Sequence, residues 1–154
     1  MMNRPNIDQY MINLLPGIAA RGTCSRRKVG AIAVDREGVI ITTGYNGAPA
    51  RARHCNHEAY AKPDDDPDLH RINDRWSCQR ANHSEANLVF HAARRGIALA
   101  GTIVYCDTFP CFNCLRAMIA AGVQESVFLD DYQNDPMVTQ LCKEVGFKLR
   151  RFTT

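Results

Sequence analysis

Apolar residues near the N-terminus recur at the spacing of one face of an α-helix. The pattern covers residues 7–21 and is carried by Ile7, Tyr10, Met11, Leu14, Leu15 and Ile18. Pro16 lies within this segment, and we expect it to kink or break the helix because proline lacks the backbone N–H that a helix interior uses. The chain is therefore predicted to begin with a helix that buries one side.

Two short apolar segments follow, and a turn separates them. Residues 29–34 (VGAIAV) and 39–45 (VIITTGY) have the composition of strands, and the polar sequence at 35–38 (DREG) is typical of a turn. The two strands are predicted to pair as a hairpin.

From His83 onward, helical and strand patterns alternate. The predicted helices begin at His83, cover 111–121 and begin again at Pro136, and the predicted strands cover 102–106, 126–130 and 147–152. Such alternation indicates an α/β fold in which helices pack on the faces of a sheet. The length of 154 residues fits a single domain, residues 1–154, with a sizeable core.

The segment 47–75 has no sustained period. It is rich in Pro, Asp, Arg and His, and residues 62–68 (KPDDDPD) are predicted to form its exposed tip. Irregular segments of this length within a domain tend to be functional or to be pinned by a specific interaction.

Composition excludes several classes of protein. Hydrophobic residues make up 45% and charged residues 23%, which is typical of a globular chain. The net charge of +3 is too small to predict a nucleic-acid polymer as partner. No apolar segment approaches the roughly 20 residues of a membrane span, and the N-terminus lacks a signal-peptide core, so we expect a cytoplasmic protein without membrane contact.

The number and spacing of cysteine and histidine residues indicate a metal site. Seven cysteines are an odd number, which argues against a closed disulfide framework and favours metal binding in a reducing compartment. His83 lies at the start of one predicted helix, and Cys111 and Cys114 lie at the start of the next, after Pro110. Three such ligands suit a tetrahedral zinc ion with one open position.

Glu85, two residues after His83, supplies the other component of a hydrolytic zinc site. The metal lowers the pKa of a water molecule and a nearby carboxylate moves its protons. Alone, a His-x-Glu sequence is usually an ordinary helix start, and a Cys-x-x-Cys sequence could be redox-active or structural. Together, His-x-Glu followed by Pro-Cys-x-x-Cys is the signature of zinc-dependent deaminases.

The chain resembles the cytidine deaminase superfamily and, within it, the deoxycytidylate (dCMP) deaminases. The resemblance runs from about residue 21 to 152 and is carried by TCSRRKVGAIAV (23–34), GYNGAP (44–49), HSEAN (83–87), FPCFNC (109–114) and DDYQND (130–135). It implies a three-layer α/β/α fold with a five-stranded mixed sheet. It also implies hydrolysis of dCMP to dUMP and ammonia, which supplies dUMP for thymidylate synthesis.

The resemblance assigns roles to individual residues. His83, Cys111 and Cys114 match the ligands of the catalytic zinc, and Glu85 matches the residue that carries protons between the water, ring nitrogen N3 and the leaving amine. The sequence departs from most relatives at Ser84, where alanine is usual. The Ser84 hydroxyl is therefore available to cap the helix or to adjust hydrogen bonds in the site.

Three further residues match positions that bind substrate in the family. Asn46 matches a residue that holds the nucleoside, although Asn-Gly is also a favoured turn pair. Tyr132 matches a phosphate-contacting tyrosine, or it is an exposed loop residue. Phe109 could pack on the pyrimidine ring or belong to the core.

The resemblance also implies a second, structural zinc ion held by Cys24, Cys55 and Cys78. Closing that site needs a fourth ligand. His70 is our choice, since it lies in the same irregular segment eight residues before Cys78, and His57 and His54 are competitors. The alternative is that these cysteines are ordinary free thiols.

Finally, the resemblance implies a hexamer that dCTP activates and dTTP inhibits, with Mg²⁺ accompanying the bound effector. Arg94 matches an arginine linked to subunit contact and allosteric control, but it is also suited to a solvated helix end. Arg26 and Lys28, in the basic run around Arg27, are candidates to meet nucleotide phosphates.

Two other functions compete with this interpretation. One is a deaminase of another substrate, such as cytidine, deoxycytidine or a tRNA adenosine. Modest charge, together with Phe109 and Tyr132, argues against a polynucleotide. The other is a zinc-stabilised binding module without chemistry, for which Glu85 would have no purpose.

Overall fold

A computed structural model describes residues 4–72, 74–132 and 134–153. Its helices are α1 Ile7–Ala19, α2 Ser84–Arg94, α3 Phe112–Ala120 and α4 Pro136–Val145. Its strands are β1 Gly30–Val34, β2 Ile40–Tyr45, β3 Leu69–Ile72, β4 Arg75–Cys78, β5 Ile103–Thr108, β6 Glu125–Asp130 and β7 Lys148–Arg151. Within the described ranges, none of the helices is both long enough and apolar enough to cross a membrane.

Five of the strands form a mixed sheet in the order β2-β1-β5-β6-β7. The predicted hairpin of β1 and β2 is confirmed, and β1 also runs antiparallel to β5. The pairs β5–β6 and β6–β7 are parallel, as strands joined by helical crossovers must be. The predicted α/β fold with a five-stranded mixed sheet is therefore confirmed.

Both faces of this sheet are covered by helices. Strand β1 is buried throughout, and its residues alternate between two cores. Ile32 and Val34 belong to the core under α1, whereas Ala31 and Ala33 belong to the core that contains α2, α3 and α4. Alternate residues of a strand point to opposite faces, so one short strand serves both layers of the α/β/α arrangement.

The predicted break at Pro16 does not occur. Helix α1 begins at an Asn6 cap, whose side-chain oxygen accepts a hydrogen bond from the Gln9 amide, and it continues past Pro16 to Ala19. Met11 and Leu15 are fully buried on the sheet. Pro16 lies in the last turn of the helix, and this apolar packing holds that turn in place despite the missing hydrogen-bond donor.

The segment predicted to be irregular contains a second, small sheet. Strands β3 and β4 form an antiparallel hairpin, and Asp74 in its turn has a φ of 61°. The alternation of apolar and polar residues is weak in these strands because they are largely exposed, so the sequence pattern did not reveal them. The preceding loop is held by Asp68, whose carboxylate accepts a bidentate hydrogen bond from Arg53 at 2.7 and 2.8 Å and another from Arg80 at 3.1 Å.

Helix α2 approaches β2 at Gly44. A Cβ atom at this position would lie 2.2 Å from the Ser84 carbonyl oxygen and 2.5 Å from the Leu88 amide nitrogen. Only glycine permits this approach, because both opposing atoms belong to backbone. The contact fixes where α2 starts, and so fixes the residues at its N-terminus.

Candidate metal centre and active site

Two helix N-termini meet beside the five-stranded sheet. His83 is the N-cap residue of α2, and Cys111 is the N-cap residue of α3, where its sulfur accepts a hydrogen bond from the Cys114 amide at 3.4 Å. Helix N-termini stabilise negative charge, which favours the thiolate form of cysteine. The predicted ligands therefore lie at positions that suit metal binding.

The three predicted donors lie close together. The Nδ1 atom of His83 is 3.4 Å from the Cys111 sulfur and 3.5 Å from the Cys114 sulfur, and all three donor atoms lie within 4.8 Å of one another. Cys114 is buried, Cys111 is half-buried and His83 is exposed. Two sulfurs and one imidazole nitrogen are the donor types that tetrahedral zinc prefers, and three of them leave one position open.

Hydrogen bonds among these three residues shift their pKa values. A hydrogen bond from the Cys114 thiol, together with one from His83, lowers the pKa of Cys111 to about 4. The hydrogen bond with Cys111 raises the pKa of His83 to about 9, although partial desolvation of the imidazole ring opposes this shift. The pKa of Cys114 is raised well above its usual value, because its thiol donates to Cys111 and is buried.

Glu85 is buried in the first turn of α2, with 3% of its surface exposed. Burial raises the pKa of its carboxyl group above the usual value. The Ser84 hydroxyl donates a hydrogen bond to Glu85 Oε2 at 2.9 Å and lies 3.6 Å from the Cys106 sulfur. Ser84 therefore contacts Glu85 and does not cap α2.

A cavity of about 320 Å³ connects these groups with all three predicted substrate residues. Its wall includes His83, Glu85 and Cys111 from the metal centre. The predicted residues Asn46, Phe109, Tyr132 and Arg26 also line it. The volume lies at the lower end of the range for small-molecule sites.

Asn46 also has a structural role. Its side-chain Nδ2 donates to the Arg27 carbonyl at 2.7 Å, and its Oδ1 accepts from the Val29 amide at 2.8 Å. The residue is buried and ties the start of β1 to the end of β2. Both interpretations of Asn46 thus have an observable basis, and its contact with substrate stays a prediction.

Two aromatic residues stand on different parts of the wall. Phe109 is 7% exposed and packs edge-on against Phe128, with ring centroids 5.2 Å apart. Tyr132 is 53% exposed, and its ring lies 4.1 Å beneath the Arg27 guanidinium, which also pairs with Asp130 at 3.3 Å. Arg27 and the exposed Tyr132 therefore form a polar end of the cavity.

The remaining predicted residues divide into two groups. Arg26 lines the cavity and donates from Nη1 to the Trp76 carbonyl at 2.8 Å. Lys28 instead donates from Nζ to the Ala20 carbonyl at 3.2 Å, and Arg94 is exposed at the last residue of α2. Neither Lys28 nor Arg94 is part of the cavity wall, so a role for them would have to lie elsewhere.

A second cluster of metal-binding side chains lies nearby. Donor atoms of Cys24, Cys55, His57 and Cys78 all lie within 4.8 Å of one another. The three predicted cysteines are brought together with His57, a competitor in the sequence analysis, and the preferred His70 is not part of this cluster. His70 pairs with Ser77 in the hairpin, whereas Cys78 pairs with Leu69, so the side chains of His70 and Cys78 point to opposite faces.

The geometry of His57 fits metal ligation. Its Nδ1 atom bonds to Asp66 Oδ2 at 2.5 Å, and its Nε2 atom is buried without a hydrogen-bond partner among the described residues. Burial raises the pKa of Cys55 to about 12. Burial also opposes ionisation of Cys24, but hydrogen bonds from the Arg26 and Arg27 backbone and from neighbouring side chains together lower its pKa. An unpartnered buried nitrogen beside three thiols is the donor set of a closed tetrahedral zinc site.

The sequence analysis did not identify Trp76 or Asp66, and it ranked His57 below His70. Trp76 lines the cavity, and Asp66 orients His57. The Cys55-x-His57 spacing was a usable signal, since it places two potential metal ligands only two residues apart. Asp66 and Trp76 offered no comparable signal, because the hairpin and the loop before it were not recognised.

The fold and the metal centre together define a class, the zinc-binding deaminases with an α/β/α fold. Residues 5–130 match the family described as the cytidine and deoxycytidylate deaminase zinc-binding region. This match covers most of the chain, so the chain belongs to that family.

Known relatives agree with this placement. The chain is 32% identical over 152 residues to the deoxycytidylate deaminase of Saccharomyces cerevisiae, covering 97% of this chain and 46% of the relative. It is 33% identical over 128 residues to the deoxycytidylate deaminase of Mycobacterium phage D29, covering 82% of this chain and 97% of the relative. The chain thus spans about half the length of the yeast relatives and nearly the whole phage protein.

Solved structures confirm the fold. The dCMP deaminase of cyanophage S-TIM5, in complex with dCMP and dUMP, superposes with a TM-score of 0.76 at 21% identity, covering 97% of this chain and 98% of that one. Its apo form superposes with a TM-score of 0.71. The three-layer architecture predicted from the sequence is therefore the architecture of the family.

Proposed function

We propose that this protein hydrolyses dCMP to dUMP and ammonia. The observation that carries the proposal is the placement of a buried carboxylate, Glu85, on the same cavity wall as His83 and Cys111, which form one metal-binding cluster with Cys114. A purely structural metal site has no need of such a carboxylate beside an open ligand position. The deoxycytidylate deaminases among the relatives support the choice of reaction.

Zinc fits the first cluster, and His83, Cys111 and Cys114 would hold it. When bound there, zinc would lower the pKa of a water molecule in the open fourth position. Side chains of the protein would carry out the proton transfers and bind the substrate.

Glu85 would carry the protons. Hydrolysis forms a bond between the water oxygen and C4 of cytosine and breaks the bond from C4 to the amino nitrogen. The two water protons end on N3 of uracil and on the departing ammonia, so one group must take and return protons within reach of all three atoms. The raised pKa of the Glu85 carboxyl suits this exchange, because a buried carboxyl accepts a proton more readily than an exposed one.

The cavity wall would hold the nucleotide. Phe109, fixed by its edge-on contact with Phe128, would pack on the pyrimidine ring. Asn46 retains a second amide hydrogen and one carbonyl lone pair beyond its two backbone contacts, and these would bind the sugar.

The phosphate would lie at the polar end of the cavity. Arg27, Arg26 and the Tyr132 hydroxyl are the candidate donors there. A phosphate would replace the single exposed carboxylate of Asp130 as the partner of Arg27. Accordingly, Arg27→Ala should raise KM for dCMP and leave the much weaker use of deoxycytidine unchanged.

The decisive assay measures ammonia release from dCMP, CMP, deoxycytidine and a tRNA anticodon stem. Turnover of dCMP in preference to the others supports the proposal, and turnover of the tRNA stem or of deoxycytidine instead would assign another substrate. Glu85→Gln should retain zinc and lose at least 100-fold in kcat, since general acid–base catalysis contributes roughly 10²–10⁴-fold. Absence of turnover on every substrate by the zinc-loaded protein would contradict the enzymatic function.

We further propose that Cys24, Cys55, His57 and Cys78 hold a second, structural zinc ion. The support is the buried, unpartnered Nε2 atom of His57 among three thiols. Such an ion would tie together the loop before β1, the segment after β2 and the end of β4, which come from distant parts of the sequence. Metal would then contribute to folding as well as to catalysis.

The regulatory properties implied by the resemblance belong to the same proposal. We infer a hexamer that dCTP activates and dTTP inhibits, with Mg²⁺ on the effector phosphates. The exposed Arg94 at the end of α2 is the candidate contact residue, and Lys28, which lies outside the substrate cavity wall, is the candidate donor to the effector phosphates. Light scattering with and without dCTP and Mg²⁺, compared with Arg94→Ala, tests the assembly.

A further inference from the structure

Two buried side chains, Ser84 and Cys106, lie next to the Glu85 carboxylate in sequence or across the sheet. Ser84 and Cys106 are both fully buried, and Glu85 is nearly so. The Ser84 hydroxyl donates to Glu85 Oε2 at 2.9 Å, and the Ser84 oxygen lies 3.6 Å from the Cys106 sulfur. Ser84 is thus linked to one residue of its own helix and to one residue of strand β5.

The direction of these hydrogen bonds follows from counting protons. Ser84 has one hydroxyl proton, which Glu85 Oε2 accepts. At the second contact, Ser84 can therefore only accept, and the Cys106 S–H is the donor. Burial raises the pKa of the Cys106 thiol well above its usual value, so the thiol keeps the proton that it donates.

We propose that Ser84 is a positioning residue for the reaction and that Cys106 acts through it. The ordered chain from Cys106 through Ser84 to Glu85 holds Oε2 toward the core and leaves Oε1 for the water and the substrate. Among the described residues, Ser84 is the one side chain that donates a hydrogen bond to this carboxylate. The inference rests on the proposed deaminase activity, since it deepens the role of Glu85.

Ser84→Ala tests the proposal, because it removes one atom and adds none. We expect kcat for dCMP to fall about tenfold, the loss expected for one hydrogen bond to a charged group, while KM stays within about twofold. Zinc content and melting temperature should stay close to those of the wild type. Ser126→Ala is the matched control, since Ser126 is equally buried and its hydroxyl has no partner among the described residues.

A double-mutant cycle tests the link to Cys106. Cys106→Ala should lower kcat by a smaller factor, and Cys106→Ser, which keeps a donor, should restore most of it. In the Ser84→Ala background, Cys106→Ala should have no further effect on kcat, because the connection is already broken. Cys142→Ala, which truncates another buried thiol of the same core, is the control for lost packing.

A spectroscopic readout separates this inference from the proposed function. The infrared stretch of the Glu85 carboxyl group, assigned by difference against Glu85→Gln, should shift in Ser84→Ala and not in Ser126→Ala. An unshifted band, or a Ser84→Ala enzyme with wild-type kcat, would overturn the positioning role. If the wild-type protein has no turnover but the Glu85 band still shifts in Ser84→Ala, the deaminase function is contradicted while the hydrogen-bond chain is established.

Discussion

The His57 imidazole bonds through Nδ1 to the Asp66 carboxylate at 2.5 Å and keeps its buried Nε2 atom free of hydrogen bonds within the described residues. A carboxylate on one ring nitrogen fixes the ring and the tautomer that presents the other nitrogen to a metal. The contact between His57 and Asp66 is therefore the arrangement expected if His57 holds the proposed second zinc ion.

Removal of His57 should remove one metal ion. We expect the wild type to contain two zinc ions per chain by elemental analysis and His57→Ala to contain one, while the first cluster keeps its ion. His70→Ala is the matched control, because His70 is an exposed histidine on the same excursion of the chain. Retention of two ions in His57→Ala would exclude His57 as a ligand.

Asp66→Asn should weaken the second site without emptying it. Outer partners of metal ligands typically contribute 10–100-fold to affinity, so we expect a loss of about that size in competition with a chelator. The amide is similar in size to the carboxylate, and the loop should keep its fold because Asp68, bound to Arg53 and Arg80, is unchanged. An unaltered affinity in Asp66→Asn would show that the pair serves only packing.

Zinc binding at the first cluster should release about two protons at neutral pH. His83, with a pKa of about 9, and Cys114 are both protonated there, whereas Cys111, with a pKa of about 4, is already a thiolate. Binding requires neutral imidazole and two thiolates, so affinity should rise between about pH 5 and 9. Calorimetry of His57→Ala in buffers of different ionisation enthalpy measures the protons, and a count near zero would contradict the assignment.

Gly44→Ala should destabilise the fold. The new methyl group would meet the backbone of Ser84 and Leu88 at 2.2 and 2.5 Å, so α2 must move off the sheet, at a cost of about 3 kcal/mol in the free energy of unfolding. Gly17→Ala is the opposite case, since nothing lies within 4 Å and the residue is in α1. Gly17→Ala should raise the free energy of unfolding by about 1 kcal/mol, because alanine favours the helix more than glycine does.

Urea denaturation of the two glycine variants gives both values under one set of conditions. If Gly44→Ala unfolds at the wild-type midpoint, the close approach of α2 to β2 is not required. A loss of activity in Gly44→Ala that exceeds its loss of folded protein would further indicate that α2 has moved and carried Glu85 with it.

Much of the architecture is determined by local sequence. The alternation in β1, the helical spacing of α2 and α3 and the turn at 35–38 predict their elements because backbone geometry gives each a fixed period. The sequence motifs of the first cluster are equally local, because His83 and Cys111 are each the N-cap residue of their own helix. These features need no knowledge of the rest of the chain.

Tertiary structure alone decides the features that depend on the path of a loop or on packing across the sheet. The choice of His57 over His70 follows from the hairpin, whose pairing turns His70 away from Cys78, and from the hold of Asp66 on His57. Likewise, the contact between Ser84 and Cys106 depends on the close packing of α2 on the sheet, which Gly44 permits. Contacts between residues distant in sequence are set by the sum of the packing, and no local pattern encodes them.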